Sequence, residues 1–398
     1  MAAEVDRCCA AYSSTGDCLN LSGQKLLFVF LGSELGGAEW QGLLLARYLK
    51  ERCGAEVEVF GLGAGGAGRV AGVCAEFGLA WRAVPFSFNG YGFAKFRELR
   101  LLARQLRKVR PTALLAYTWL PNVACGLVWR FSGAKAYIWN QRDDGLDLNR
   151  SFLHRISVRL TTCFVANAAN GRDFLVKTYG VNAEHCPIIH NGIVQPLLKA
   201  ERGSCRAAFG IPENALVVCM VGNLHRNKDH ATLLRAWRIV LDRASDSAPS
   251  LVLMLAGRFD EQAKSLQRLA ESLSLGAHVH FCGELQNVTA LLCAADVYVH
   301  SSPREGLPNG VLEAMAAGLP VVGTLIPGIK EALGEGMLSC LAPPGDAEAL
   351  ADRIADMIGD AARRSVCGAA NRLRIAEEFS LEKMGAGYAA LLQGCLAP

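Results

Sequence analysis

The stretch Leu291–Thr324 reads LLCAADVYVHSSPREGLPNGVLEAMAAGLPVVGT and predicts a complete strand–loop–helix–strand unit. Val297–Ser301 is a short apolar segment that favours a buried strand, and the Gly- and Pro-containing segment after it favours a loop. Because proline is common at the first position of a helix, the helix is expected to begin at Pro308, and Gly318 marks its end. The next strand is expected at Pro320–Gly323. This order of elements is typical of a parallel sheet.

Similar units extend along the chain in two series. The strands of the first series, which are separated by helical patterns such as the one from about Ala38 to Lys50, are Lys25–Leu31, Glu56–Phe60, Trp81–Val84, Ala113–Tyr117, Ala136–Asn140, Thr162–Asn167 and Pro187–His190. Those of the second series are Leu216–Val221, Leu251–Ala256, His278–Phe281, Val297–Ser301 and Pro320–Gly323. Alternating strands and helices predict parallel sheets with helices on both faces. We therefore predict an α/β protein with two Rossmann-like, doubly wound domains that face a central cleft.

The expected domain boundaries follow these two series. A loose leader spans residues 1–23, the first domain 24–195, a linker 196–213, the second domain 214–379 and a C-terminal helix 380–398. A chain of 398 residues is long enough for two hydrophobic cores. Residues 24–195 carry 21 Lys+Arg and 12 Asp+Glu, a net charge of +9, and the rest of the chain's 41 and 37 leaves 20 and 25, a net of −5. This asymmetry again indicates two units.

The cysteine pattern argues against a metal site. The chain has 15 cysteines and none at CxxC spacing, so zinc clusters are not expected, and most of the thiols are interpreted as small buried hydrophobic groups in a reducing compartment. The first twenty or so residues lack the basic start and apolar core of a secretory signal, and no apolar run reaches the length of a membrane span. The sequence therefore predicts a cytoplasmic protein without a bound metal.

A cationic loop follows the first strand of the second series. In Val218–His230, VCMVGNLHRNKDH, a buried strand leads into a glycine and a short loop that carries Arg226 and Lys228 and opens a helix near Asp229. Two cations beside a helix N-terminus form an anion site suited to a diphosphate. Ordinary surface charges on a solvated loop remain the alternative interpretation.

Two carboxylates lie in the loop and helix of the opening stretch. Glu305 precedes the helix N-terminus, and Glu313 lies one turn inside an otherwise apolar helix. The first backbone N–H groups of this helix are expected to point into the cleft as anion donors. A carboxylate accepts two hydrogen bonds from vicinal hydroxyls such as those of a ribose or a hexose. A glutamate that only complements the helix dipole is the alternative for Glu313.

The motif EGLPNGVLE resembles the E-x7-E motif of the retaining glycosyltransferases of family 4, which have the two-domain GT-B fold. The segments GGAE (Gly36–Glu39) and IIHNGI (Ile188–Ile193) are similar to the glycine turn and domain-boundary signature of that family, and Leu291–Thr324 follows its C-terminal pattern. The resemblance spans roughly Lys25–Phe379. It implies a nucleoside-diphosphate-sugar donor in the C-terminal domain, an acceptor in the N-terminal domain, and a last helix that crosses back to the N-terminal domain.

The resemblance also implies roles for single residues. Glu313 would bind the ribose hydroxyls, Glu305 would meet the donor sugar near the reacting carbon, and Lys228 would hold the diphosphate. Stabilisation of the leaving group by fixed charges is the expected catalytic effect, so no divalent metal or other cofactor is required. The backbone that would hold the diphosphate or approach the donor belongs to Gly306, Leu307, Pro308, Asn309, Gly310, Gly36 and Gly37.

Two positions depart from the family pattern. The family commonly has an arginine directly after the glycine of its phosphate loop, where this chain has Asn223, and Arg226 is expected to supply the charge. Many members have a histidine after the fifth strand of the N-terminal domain. Asn140 or Arg142 stands there in this chain, and both are assigned to the acceptor side.

The segment Phe93–Pro111, FAKFRELRLLARQLRKVRP, combines an apolar stripe with seven basic residues. It is interpreted either as an outer helix of the sheet with a solvated basic face or as a helix attracted to an anionic membrane surface. The second interpretation suits a lipid-linked acceptor and a location at the inner face of the membrane. Nothing in the segment indicates nucleic-acid binding.

The sequence thus predicts a retaining hexosyltransferase-type glycosyltransferase that moves a sugar to an acceptor hydroxyl, for example on a lipid-linked or polysaccharide precursor. A nucleotide-sugar epimerase of the same fold and a non-catalytic nucleotide-sugar-binding subunit are the alternatives.

Overall fold

The computed structural model describes residues 20–88, 93–145, 152–195, 201–245 and 249–396. The described chain divides into two compact units. One contains the chain up to Gly192 together with the chain from Ser380 onward, and the other contains Ile193–Phe379. The expected leader at residues 1–23 lies outside the described residues except for residues 20–23.

The first unit is built on a six-stranded parallel sheet with the strand order β3-β2-β1-β4-β5-β6. Every residue of its fourth strand is buried, which is why that strand is apolar at consecutive positions. The strands are β1 (Lys25–Leu31), β2 (Glu56–Leu62), β3 (Ala80–Val84), β4 (Ala113–Tyr117), β5 (Ala136–Gln141) and β6 (Cys163–Ala166).

The second unit repeats this architecture with the strand order β12-β11-β10-β7-β8-β9. The neighbouring strands of this sheet run parallel to each other, so the carboxyl ends of β10 and β7 lie side by side at one edge. The strands are β7 (Leu216–Val221), β8 (Leu251–Ala256), β9 (Val279–Gly283), β10 (Val297–His300), β11 (Val321–Thr324) and β12 (Leu341–Ala342). Two parallel sheets with flanking helices confirm the prediction of two doubly wound halves.

Helices connect the strands in both units. The first unit contains α1 (Gly37–Cys53), α2 (Arg69–Glu76), α3 (Phe93–Val109), α4 (Trp119–Val128), α5 (Phe152–Leu160), α6 (Ala169–Tyr179) and two 3-10 segments, Trp129–Ser132 and Ala183–His185. The second contains α7 (Arg202–Ala208), α8 (His230–Arg243), α9 (Ala263–Ser272), α10 (Val288–Ala294), α11 (Asn309–Ala316), α12 (Pro327–Leu333), α13 (Ala347–Gly359), α14 (Ala361–Glu378) and the 3-10 segment Glu335–Cys340. The last helix of the described chain is α15 (Leu381–Leu396).

The strand expected at Pro187–His190 is wrong. This segment makes only one bridge to the sheet, between Ile188 and Ala166, with backbone hydrogen bonds from Ala166 N to the Pro187 oxygen (3.1 Å) and from Ile189 N to the Ala166 oxygen (2.9 Å). The chain then leaves the sheet, because the Gly192 N–H donates to the side chain of Gln41 at 3.0 Å. The apolar pattern of the segment gives no indication of this hydrogen bond, because Gln41 is distant in the sequence.

Two further expectations need correction. The segment expected to be a linker between the two domains contains the helix α7. Arg206 on this helix forms an ion pair of 2.8 Å with the largely buried carboxylate of Asp296. The helix of the opening stretch begins at Asn309, and Pro308 is its N-cap residue with φ −75° and ψ 118°.

Helix α15 packs into the first unit. Tyr388 on this helix donates a hydrogen bond of 2.6 Å to the side-chain oxygen of Asn140 at the end of β5. Gly385 lies so close to α1 that a Cβ atom at this position would be 2.3 Å from the ring of Tyr48. The unit that begins with β1 is thus completed by the end of the chain.

Candidate functional site

The two loops singled out in the sequence meet at the carboxyl edge of the second sheet. One follows β7 and the other follows the neighbouring strand β10. The Asp229 N–H donates to the Ser301 carbonyl oxygen at 2.9 Å, and the Ser302 hydroxyl donates to the Asn227 carbonyl oxygen at 2.9 Å. These bonds fix the two loops against each other at the place where open α/β sheets bind ligands.

Lys228 and Glu305 form an ion pair between these loops. His300, the last residue of β10, lies beneath both groups with its side chain only 1% exposed. Its Nε2 atom is 3.4 Å from Lys228 Nζ and 3.3 Å from Glu305 Oε1. The three side chains therefore form one compact cluster of an ammonium, a carboxylate and an imidazole.

The cluster controls the charge of its members. Burial by itself would raise the pKa of Glu305, but the positive charge of Lys228, the close contact with His300 and the hydrogen bond from Lys228 outweigh it and lower the pKa to about 2. Burial lowers the pKa of His300, and the nearby Lys228 ammonium lowers it further. At neutral pH the carboxylate is therefore ionised and the imidazole is neutral.

Glu313 is the opposite case. It lies on the fifth position of α11 and is partly covered by protein, and its carboxylate receives no hydrogen bond or ion pair from the described residues. Burial raises its pKa to about 7. A covered carboxylate without a protein partner is costly in the unliganded protein and is a strong acceptor for ligand hydroxyls.

The start of α11 lies directly on the end of β7. A Cβ atom at Gly310 would be 2.4 Å from the Tyr298 hydroxyl oxygen and 2.9 Å from the Val221 carbonyl oxygen, so only glycine fits. Leu307 and Pro308 are buried and precede the first helical residue, Asn309. The backbone predicted to hold a diphosphate is thus anchored at the edge that carries Lys228 and Glu305.

The structure separates Asn223 and Arg226 from this cluster. Asn223 uses its side-chain oxygen to accept a hydrogen bond of 3.1 Å from the backbone N–H of Arg258, which ties the loop after β7 to the loop after β8. Arg226 is exposed, and its backbone N–H donates to the Glu261 carboxylate at 3.0 Å. The geometry gives Asn223 a role in holding the loops, and the diphosphate role of Arg226 stays a prediction.

His300 and Tyr298 are site residues that the sequence interpretation missed. Both alternate with valines in β10 and read as ordinary strand residues. The sequence could have indicated His300 by its position, because it is a histidine at the carboxyl end of a buried parallel strand, where ligands bind in this class of fold.

The candidate residues of the first unit lie around the start of α1 and the end of β5. Gly36 is the N-cap of α1, and its N–H donates to the Glu39 carboxylate at 3.2 Å, directly before Gly37 begins the helix. Burial raises the pKa of Glu39, while hydrogen bonds from the backbone and the charge of Arg142 oppose this change. The carboxylate and the guanidinium therefore belong to one electrostatic group.

Asn140 and Arg142 occupy different environments. Asn140 is 0% exposed, and its amide donates to the Ala116 carbonyl oxygen at 3.0 Å while it accepts from Tyr388. Arg142 is partly exposed, hydrogen-bonds to the Asn191 side chain, and holds its guanidinium carbon 5.7 Å from the centre of the Tyr117 ring. The structure thus places Asn140 in the core of the unit and leaves Arg142 as the candidate that a ligand can reach.

Within the described part of the chain, no group of three or more His, Cys, Asp or Glu side chains has the arrangement of a metal site.

The sequence matches known families over both units. The family described as Glycosyltransferase Family 4 matches residues 35–194, and the family described as Glycosyl transferases group 1 matches residues 215–360. The chain belongs to these glycosyltransferases. The matched regions contain Gly36, Arg142, Lys228, Glu305 and Glu313.

Individual glycosyltransferases align with part of the chain. EpsD of Bacillus subtilis is 31% identical over 228 residues, which is 56% of each chain. The D-inositol 3-phosphate glycosyltransferase of Corynebacterium urealyticum is 35% identical over 162 residues, 39% of this chain and 38% of that one. The chain spans about half or less of the length of these relatives.

A solved structure matches nearly the whole fold of this glycosyltransferase. The crystal structure of HepE from Anabaena, in complex with UDP and glucose, superposes with a TM-score of 0.81 at 20% sequence identity and covers 93% of this chain and 100% of that chain. This likeness confirms the GT-B fold.

Proposed function

We propose that this protein is a retaining glycosyltransferase that moves a hexose from a nucleoside-diphosphate sugar to an acceptor hydroxyl. The observation that carries the proposal is Glu313, a partly covered carboxylate that has no side-chain partner among the described residues and whose charge, like that of Glu305, acts on Tyr298 at the carboxyl edge of the second sheet. A nucleoside diphosphate sugar offers the matching chemistry, because it combines vicinal hydroxyls with a doubly charged diphosphate.

Each group of the site has a distinct task in this proposal. Glu313 accepts hydrogen bonds from the ribose hydroxyls, and Lys228 binds the diphosphate and stabilises the charge that develops on it as the sugar departs. Glu305 accepts from hydroxyls of the donor sugar. The backbone N–H groups of Gly306, Leu307, Asn309 and Gly310 donate to the phosphate oxygens, and no divalent metal is needed for this reaction.

The first unit contributes the acceptor side in this proposal. Arg142 is the candidate for contact with the acceptor or with a phosphate, since its guanidinium is partly exposed and is oriented by Asn191. Gly36 and Gly37 leave the start of α1 without side chains, which permits the backbone to approach a ligand closely.

Uracil is the first base to test, because UDP and UDP-glucose are bound in the HepE structures. The experiment is a thermal-shift panel of UDP-, GDP-, ADP- and TDP-sugars, since binding to the folded state raises Tm. Donors that bind are then incubated with acceptor hydroxyls, and NMR of the product's anomeric proton reports whether configuration is retained.

The alternatives give different results in the same experiment. An epimerase produces an isomeric nucleotide sugar without an acceptor, and a non-catalytic subunit binds the donor but yields no transfer or hydrolysis. Failure of every nucleotide sugar to raise Tm contradicts the proposed donor class.

We further propose that α3 contacts an anionic membrane that carries the acceptor. The apolar stripe predicted for this helix is buried at Leu102, Leu106 and Val109 and partly buried at Leu99, whereas at its N-terminal end Phe93 is 81% and Phe96 is 62% exposed. Arg100, Arg104 and Arg107 are also exposed on this helix. Exposed aromatic and cationic side chains on one helix are typical of a membrane-surface segment.

Among the described residues, no helix is long and apolar enough to cross a bilayer. The contact proposed for α3 is therefore peripheral, and it would hold the protein at the inner face of the membrane. Sedimentation with vesicles rich in anionic lipid tests it. Phe93→Ser/Phe96→Ser and Arg104→Glu/Arg107→Glu should both lose binding, whereas Lys264→Glu/Arg268→Glu, an equal charge change on exposed residues of α9, should not. Equal sedimentation of all variants contradicts the proposal.

A further inference from the structure

The imidazole of His300 is held from both sides. Its Nδ1 atom lies 3.1 Å from the Tyr298 hydroxyl, and its Nε2 atom faces Lys228 and Glu305. The ring is buried at the end of β10, where it also stacks against the Tyr298 ring with an interplanar angle of 21°. This histidine has no freedom to turn toward other partners.

The backbone partners of the Tyr298 hydroxyl favour one of the two tautomers of His300. A hydroxyl has one proton and two lone pairs. Val221 N–H lies 3.4 Å from the oxygen and can only donate to it, and the Val221 carbonyl oxygen, at 3.2 Å, can only accept its proton. The remaining lone pair accepts from Nδ1–H of His300. In this arrangement Nε2 is unprotonated and accepts from Lys228 Nζ at 3.4 Å, while the Glu305 carboxylate, whose Oε1 lies 3.3 Å from Nε2, is paired with Lys228 and receives no proton from the imidazole.

An unprotonated Nε2 is an acceptor for the Lys228 ammonium. A lysine has three donors on a flexible stem and is by itself poorly oriented. Here Glu305 and His300 each accept one N–H, and the stem lies against the backbone of Gly222, where a Cβ atom would be 3.3 Å from Lys228 Cε. Because two of the three N–H groups of the Lys228 ammonium are held in this way, the direction of the third N–H group is determined.

We propose that His300 is a positioning residue that orients the Lys228 ammonium, and with it Glu305, for the donor diphosphate. The inference rests on the proposed function for its catalytic consequence, while the geometry of the cluster stands independently. His300 contacts neither the donor nor the acceptor, and it acts through Lys228. Tyr298 and Val221 fix its tautomer from the side of the sheet.

Two amide variants separate the two sides of the ring. In His300→Gln the longer side chain places its amide near the position of Nε2, so it can still accept from Lys228. In His300→Asn the shorter side chain can reach Tyr298 but not Lys228. Because a hydrogen bond to a charged group is lost only in the second variant, we expect kcat to fall by about tenfold or more in His300→Asn and by less than about threefold in His300→Gln. Both should keep the wild-type Tm.

A direct readout keeps this inference separate from the proposed function. NMR of protein labelled with 15N-histidine should show an unprotonated Nε2 and a protonated Nδ1 for His300, and Lys228→Met should shift the Nε2 resonance. These spectra need no sugar, so an absence of transfer by the wild-type protein contradicts the glycosyltransferase proposal and leaves the spectra to decide on His300. A protonated Nε2, a resonance that ignores Lys228→Met, or equal kcat values for the Gln and Asn variants each overturns the positioning role.

Discussion

Lys228 and Glu305 lie 77 positions apart in the chain and form an ion pair at the carboxyl edge of the second sheet. Lys228 lies in the loop after β7 and Glu305 in the loop after β10. The two loops are joined by one backbone hydrogen bond and by the hydrogen bond of the Ser302 hydroxyl. The pair is partly buried, with 20% and 18% of the two side chains exposed. The charges therefore depend on each other, and their energetics can be tested without knowing the substrate.

Lys228→Met should destabilise the unliganded protein by roughly 2–4 kcal/mol, because it removes the ammonium that pairs with the partly buried Glu305 carboxylate. The double variant Lys228→Met/Glu305→Gln should recover most of this loss, since it removes both charges of the pair. Urea denaturation of the three proteins measures the effect. If the double variant is no more stable than Lys228→Met, the pair does not have the energetic role given to it here.

Glu313→Gln should weaken nucleotide-sugar binding by about 10- to 100-fold, which corresponds to the loss of charged hydrogen bonds. Glu271→Gln, at an exposed position of α9, is the matched control and should bind normally. Isothermal titration calorimetry with the donor found by thermal shift measures both. Unchanged affinity in Glu313→Gln would remove this residue from the donor site.

The pKa of Glu313 gives a pH-dependent stability difference. Its folded-state pKa of about 7 lies above the ordinary value of 4.5. Protonation of Glu313 therefore stabilises the folded wild-type protein fully below about pH 4.5, and this stabilisation is lost as the pH rises through 7. Glu313→Gln cannot ionise. Without ligand it should therefore gain roughly 1–3 kcal/mol relative to wild type between pH 4.5 and 8, as measured by Tm across that range. A difference that is constant with pH contradicts the raised pKa.

Glu305→Gln should lower kcat more than it raises the donor KM, because the proposed contact is with the sugar hydroxyls near the reacting carbon. The pKa of Glu305 is about 2, so its carboxylate stays ionised through the neutral range and no limb of the pH–rate profile above pH 4 should belong to it. Steady-state kinetics of both proteins from pH 5 to 9 test this. A large rise in KM with normal kcat would assign Glu305 to binding alone.

Gly310→Ala should lower Tm by about 4 °C or more, because its Cβ atom would overlap the Tyr298 hydroxyl and the Val221 carbonyl oxygen. The resulting shift of α11 should also weaken donor binding. Gly359→Ala, at the last position of α13 with no atom within 4 Å of the added Cβ, is the control and should leave Tm unchanged or slightly raised. Equal behaviour of the two variants would show that the contact at Gly310 can relax.

The sequence predicted the strands well where local pattern and tertiary environment agree. Lys25–Leu31, which is apolar after its first residue, and Leu251–Ala256, which is apolar throughout, form strands with the expected bounds. Pro187–His190 has a similar pattern but does not continue as a strand. Shortly after it, the Gly192 N–H donates to the side chain of Gln41, which is far away in the sequence. The two-residue strand Leu341–Ala342 is too short to have a recognisable period.

The site was predictable to the extent that it lies in loops with unusual composition. Glu305, Glu313 and Lys228 stand out as charges in Gly-rich or apolar surroundings. His300 does not, because its importance comes from contacts with Lys228 and Tyr298 that form only when two loops meet. Asn140 was assigned to the acceptor side because of its position near the end of a strand. Its side chain instead forms hydrogen bonds with Ala116 and Tyr388 inside the unit.

The return of α15 to the first unit has a consequence for biosynthesis. The first unit emerges first from the ribosome, but the hydrogen bond from Tyr388 to Asn140 and the packing of Gly385 on Tyr48 can form only after the entire second unit has been translated. The second unit, Ile193–Phe379, is continuous and can complete its core without waiting for α15. During synthesis, the half that begins earlier is therefore the half that matures last.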